Sequence, residues 1–182
     1  MSRINTPVSI DKAPEASQQL LEDVNAQLGQ VPNMFRIISN SPQVLEGYLG
    51  LNGALSNGSL SPQTRERIAL AVAELNSCDY CLAAHTFIGT NLAKLSAGEI
   101  EANRRGNSNV PTQSAAVEFA VKIVQKRGQI SDSDLLAVQS VGFSDSQVIE
   151  IIAHVALNTF TNYINSVLKT EVDFPPAHPL VK

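Results

Sequence analysis

Residues 65–85 read RERIALAVAELNSCDYCLAAH, with Cys78-Asp79-Tyr80-Cys81 at the heart of the run. Two helices are predicted to meet at Asn76-Ser77, either of which suits the N-cap of the second helix, so Cys78 falls in its first turn. Orphan backbone N–H groups and the positive end of the helix dipole stabilise an anion there. The thiolate is the reactive form of cysteine, so the placement lowers a thiol pKa. Cys78, Cys81 and His85 stand at i, i+3 and i+7 and face the same way. Two cysteines one turn apart can close a disulfide, and His85, one turn beyond Cys81, suits a base or proton relay. Glu66 shares a helix face with Ala69, Leu70 and Ala73, so it is expected to point at least partly inward. A buried carboxyl without a cation partner tends toward a raised pKa, which suits proton transfer. Glu74 is closer to Cys78 in sequence but sits at a helix end, where solvent exposure is expected.

Outward from this run, nearly every segment carries helix punctuation. Ser41-Pro42 and Ser61-Pro62 place a capping Ser before a first-turn Pro. Ser96 with Glu99 and Ser144 with Gln147 have capping-box spacing, and Ser131 with Asp134 is a looser version. Gly58, Gly128 and Gly142 fall where helices stop. No alternating strand pattern appears. The expected class is all-α, one domain over 1–182 with about eight or nine helices, near 14–28, 32–39, 42–56, 62–75, 77–95, 97–104, 112–127, 132–140 and 145–169. Extended tails are expected at about 1–12 and 170–182, where Phe174-Pro175-Pro176 and Pro179 oppose a helix.

Bulk properties narrow the function classes. Of 182 residues 43% are hydrophobic and 16% charged, a globular balance. The formal net charge is -4 and no basic stripe stands out, which argues against a nucleic-acid partner. The N-terminus has no signal-peptide pattern. Ile151 to Leu168 carries no charged residue, but His154, Asn158, Thr161, Asn162 and Asn165 interrupt it, so it is not read as a membrane span. A soluble, cytoplasmic protein is predicted. In a reducing compartment, two cysteines only three apart point to reactivity rather than to a disulfide scaffold.

The competing readings are a zinc site and inert thiols. Zinc needs a fourth ligand beyond Cys78, Cys81 and His85, and the other histidines are only His154 and His178; no metal is expected. Haem attachment is excluded because Leu82 follows Cys81. For Glu66, the plain alternative is an exposed helix charge between Arg65 and Arg67. The uncharged stripe His154, Asn158, Thr161, Asn162 and Asn165 suggests a pocket wall or subunit interface, with hydrogen bonding between helices as the equal alternative. Ile152, Val155, Phe160, Ile164 and Val167 read as its core-facing counterpart. Tyr80 covers the cysteines or shapes access to them.

Glu66-x11-Cys78-x2-Cys81-x3-His85 resembles the signature of the alkylhydroperoxidase D-like, or carboxymuconolactone decarboxylase, superfamily. GQVPNMFRIISNSPQVLEGY at 29–48 and NTFTNYINSVLKTEVDFP at 158–175 resemble its peroxidase-related branch. The resemblance implies an all-α fold, a symmetric homo-oligomer and a cysteine pair that cycles between dithiol and disulfide while reducing hydroperoxides. It implies that Cys78 and Cys81 form the redox-active disulfide, with Glu66 and His85 as the proton relay. Tyr80 stands where alkylhydroperoxidase D proteins often carry histidine. Decarboxylases of the superfamily generally lack the cysteine pair.

The expected activity is a thiol-dependent peroxidase acting on hydroperoxides. The alternatives are a disulfide reductase or redox adaptor for another protein and, further off, a decarboxylase-like lyase. No bound cofactor is expected; reducing power comes from an external dithiol or protein reductant, of thiol or lipoyl type. Cys81 is expected to meet the relay and Cys78 to be the more exposed partner.

Overall fold

A computed structural model describes residues 2–178 and Leu180, and the fold is organised around one buried helix. That helix, α4 (Pro62–Leu75), follows α1 (Glu15–Leu28), α2 (Asn33–Ile38) and α3 (Pro42–Ser56). It precedes α5 (Asp79–Asn91), α6 (Ala97–Arg104), α7 (Pro111–Gln125), α8 (Asp132–Ser140) and the long α9 (Asp145–Leu168). No strand occurs among the described residues, so the all-α expectation holds. Every residue from Arg67 to Ala73 is buried, because α4 is packed by α5, α6, α7 and α9. A helix apolar on several sides belongs inside a helical assembly.

The start signals work as read at most positions. Ser61 accepts the Thr64 N–H and Pro62 opens α4. Ser131 and Ser144 each form a full capping box, with Asp134 and Gln147. At Ser41 only the proline operates, since its side chain makes no cap bond. At Ser96 the box is half made: Ser96 accepts the Glu99 N–H, but the Glu99 carboxylate turns inward to Arg67. The N-terminal tail is not wholly extended, having a short 3-10 turn at Ile10–Lys12. Residues 170–178 form no helix or strand and bend at Phe174; Pro179, Val181 and Lys182 lie outside the described residues.

Four apolar clusters hold the helices among the described residues, the smallest joining Leu70 of α4 to Ala93, Leu95 and Ile100. Ile68 and Val72 of α4 meet Ala116, Phe119 and Ala120 of α7, Val138 of α8 and Ile151 of α9. Leu21, Phe35, Ile38 and Leu45 of α1–α3 gather with Phe160 and Ile164 of α9. The third cluster encloses the cysteines. On α9 the polar stripe is buried, and the face read as core is so only in part: Val155 is buried and Phe160 and Ile164 pack on the α1–α3 cluster. His154, Asn158, Thr161, Asn162 and Asn165 are all buried, whereas Ile152 and Val167 are exposed. Asn162 accepts from Asn76 and Asn165 reaches Cys81, whereas Asn158 bonds back to the His154 carbonyl of its own helix. No helix among the described residues is long and apolar enough to cross a membrane.

Glu99 ties α6 to α4. Burial alone would raise its pKa, but donors from Ser108, Arg67, Asn103 and the Asn109 N–H outweigh burial and hold it at about 2. With the folded pKa below the ordinary 4.5, this carboxylate stabilises the fold above pH 4.5 and ceases to do so as pH falls toward 2. Urea midpoints of wild type and Glu99→Gln are expected to differ more at neutral pH than at pH ~2.5. An equal gap at both pH values would show that the ionised carboxylate is not the source.

Candidate active site

The cysteines are presented by the reversal between α4 and α5. The Cys78 N–H donates to the Ala73 carbonyl (3.0 Å) and the Ser77 N–H to the Glu74 carbonyl (3.0 Å), the paired bonds of a Schellman motif. Ser77 takes the left-handed position that glycine usually fills, with φ 52°. This moves the N-cap from Asn76 or Ser77 to Cys78, and α5 spans Asp79–Asn91 against the expected 77–95. Cys78 is itself the N-cap, and its Sγ accepts the Cys81 N–H at 3.3 Å. Cys78 and Cys81 are joined as a disulfide, their Cα atoms 5.3 Å apart.

Both sulfurs lie inside the protein. Cys78 is 1% exposed and Cys81 3%, so Cys78 is not the more exposed partner. As an N-cap its side chain folds back over the helix end instead of projecting from the first turn. The roof is aromatic. Tyr80 is buried, accepts the Met34 N–H through its hydroxyl (3.1 Å), and is held neutral because burial raises its pKa. Phe174 packs edge-on to Tyr80 (centroids 5.8 Å) and against Phe87 (5.9 Å). The C-terminal segment that carries Phe174 is pinned by Asn33, whose N–H meets the Asp173 carboxylate (2.7 Å) and whose amide meets the Glu171 carbonyl. Farther on, Arg104, paired with Glu74 (2.7 Å), donates to the His178 carbonyl.

Glu66 and His85 are brought together, Oε2 to Nδ1 at 2.9 Å. Both side chains are largely buried, at 16% and 21% exposure. The plain reading of Glu66 as one charge among neighbouring arginines does not hold. Arg65 caps the last carbonyls of α3 at Leu55 and Ser56, and Arg67 is committed to Glu99. Glu66 is thus left to the imidazole. Tyr48 on α3 is raised by burial and by the Glu66 charge. His154 on α9 is lowered by burial and by Arg65, against the opposing pull of Glu150 and Glu66. Its Nε2 is buried without a hydrogen-bond partner among the described residues.

Of the stripe read as a pocket wall or interface, Asn158 and Asn162 are used within the chain and Asn165 touches the redox pair. A surface cavity of about 350 Å³ is lined by Ser77, Cys78, Tyr80, Asn165, Lys169 and Thr170. Sequence reasoning missed the bond from Asn165 to Cys81 and the roof formed by Phe174. Phe174 left a signal, being the lone aromatic of a proline-rich tail.

The model of the carboxymuconolactone decarboxylase family matches residues 42–126, which include α3 through α7 and all four proposed site residues. No curated protein matches the sequence. Among solved structures, the alkylhydroperoxidase D core of a peroxidase-related protein from Ralstonia eutropha JMP134 is 26% identical, with TM-score 0.83 over 94% of this chain and 92% of that one. A peroxidase-related protein from Silicibacter sp. TM1040 is 24% identical, with TM-score 0.80 over 97% and 92%. The debrominase Bmp8, solved as a cysteine-to-alanine variant with 2,3,4-tribromopyrrole, shares the fold at 18% identity, with TM-score 0.79 over 95% and 94%. Residues 42–126 thus carry the carboxymuconolactone decarboxylase family pattern, and the fold as a whole is that of the alkylhydroperoxidase D core.

The aromatic roof has a measurable consequence. Phe174→Ala is expected to speed reduction of the oxidised protein by a water-soluble phosphine several-fold, at a stability cost of roughly 1–2 kcal/mol for a half-buried ring. An unchanged reduction rate would mean that reagents reach the sulfurs by another route.

Proposed function

We propose that the chain is a thiol peroxidase that reduces hydroperoxides through Cys78 and Cys81, with Glu66 and His85 as its proton relay. The observation that carries this reading is a disulfide closed across the first turn of α5, with a carboxylate–imidazole pair whose histidine lies one turn beyond Cys81. The likeness to peroxidase-related proteins supports the same direction.

In the proposed cycle the Cys81 thiolate attacks one oxygen of the hydroperoxide. An S–O bond forms, the O–O bond breaks, and the departing alkoxide takes a proton through His85. Glu66, on Nδ1, holds the ring in one orientation. Cys78 then attacks the sulfenic acid, forming the disulfide and releasing water. An external dithiol, of thiol or lipoyl type, restores the two thiols and is itself oxidised to a disulfide. The sum is one hydroperoxide and one dithiol converted to one alcohol, one water and one disulfide. Tyr80 and Phe174 supply a dry roof that favours a compact, partly apolar peroxide.

Hydroperoxide consumption with a dithiol reductant tests the reading. Cys78→Ser and Cys81→Ser are expected to abolish turnover, and Glu66→Gln to lower kcat by about 10²-fold. Activity that survives loss of both cysteines would overturn the proposal in favour of lyase-type chemistry at Glu66 and His85. Brisk reduction of model disulfides without peroxide turnover would instead make the chain a disulfide reductase.

A further inference from the structure

Asn165 projects from α9 onto the redox pair, with Nδ2 3.4 Å from the Cys81 Sγ, and is 3% exposed. Its Oδ1 is buried with no hydrogen-bond partner among the described residues. A disulfide sulfur has no hydrogen to offer, so the donor end of the amide is the one that faces it. In the oxidised protein this is a poor bargain for stability. A weak acceptor receives one N–H, and the carbonyl end is left unsatisfied. Leucine would fill the same space without an orphaned polar atom. A thiolate, by contrast, is a strong acceptor, and a charge-assisted bond to it in a buried site is far stronger.

We propose that Asn165 serves the reduced state, donating its Nδ2–H to the Cys81 thiolate and so making Cys81 the sulfur that leaves when an external dithiol opens the disulfide. This rests on the peroxidase reading for its place in a cycle. Cys78 has other assets, the Cys81 N–H and the α5 N-terminus, which any N-cap cysteine would enjoy. Asn165 is the side-chain donor that meets Cys81 and not Cys78. Cys78 and Asn165 also line the cavity of about 350 Å³, through which a donor reaches Cys78.

The donor thiolate attacks the Cys78 Sγ, a donor–Cys78 disulfide forms, and the Cys78–Cys81 bond breaks with its electron pair left on Cys81 beneath the Asn165 amide. The donor's second thiol then closes the donor disulfide and releases Cys78. The donor has lost two electrons and two protons; the protein pair has gained both electrons and one proton, on Cys78, and the other proton has gone to solvent. The freed Cys81 thiolate is the nucleophile for the next peroxide.

Titration of single thiols tests the assignment without any peroxide. In a Cys78→Ser background, ultraviolet thiolate absorbance is followed against pH with Asn165, Asn165→Leu and Asn165→Asp. Both replacements are expected to raise the Cys81 midpoint by about one unit or more, a tenfold loss of thiolate stabilisation. Asn165→Asp fits the same space and serves if Asn165→Leu does not fold. In a Cys81→Ser background the Cys78 midpoint is expected to move much less. The proposal is overturned if the Cys81 midpoint stays put, or if both thiols shift equally, as they would for a merely structural asparagine. A Cys81-specific shift in a protein that consumes no hydroperoxide would remove the peroxidase reading and leave the role of Asn165 standing.

Discussion

The chemistry proposed for this chain depends on a six-residue reversal, Ala73 to Cys78, that closes α4 and opens α5. Two backbone bonds lock it, and Ser77 occupies the left-handed position between them. The same motif that terminates one helix turns Cys78 into the N-cap of the next. Without that double use, Cys78 would project from the first turn into solvent. With it, the Cys78 sulfur lies over the end of α5, bonded to the Cys81 N–H and to Cys81 itself. The thiolate of either cysteine would form where backbone donors and the helix dipole already favour an anion.

Around this reversal, α4 works as the shared wall. It is buried because four helices pack on it, and each contact leaves a different residue in place. Arg67 is drawn to Glu99 on α6 and Arg65 to the end of α3, which frees Glu66 for His85 on α5. An ion-pair arrangement that looks structural thus decides which carboxylate meets the imidazole. On the far side α9 presents an uncharged polar face to the cysteines, an expensive choice unless those groups are used.

Much of this was legible in the sequence. The serine and proline punctuation marks the helix starts, and the spacing from Glu66 through His85 marks the site. What was hidden had physical reasons. The N-cap of α5 was placed at Asn76 or Ser77 and not at Cys78 because a Schellman motif is normally flagged by glycine, and Ser77 gives no such signal. The relative exposure of the two sulfurs followed from that error. The extent of the apolar core face on α9 was misjudged because periodicity marks a face of a helix but not how much of it a neighbour covers. Ile152 and Val167 are as apolar as any core residue, yet they lie outside. The Phe174 roof depends on a tail that crosses back over α5, a long-range contact that no local pattern encodes.

The central claim is that the two buried sulfurs are a working redox pair, not a fixed staple. The direct measurement is a single turnover: fully reduced protein mixed with one equivalent of hydroperoxide, thiols counted and intact mass recorded at completion. The expected result is loss of both thiols, a mass decrease of two hydrogens per chain and one equivalent of alcohol. Thiols that remain reduced beside unconsumed peroxide would contradict it.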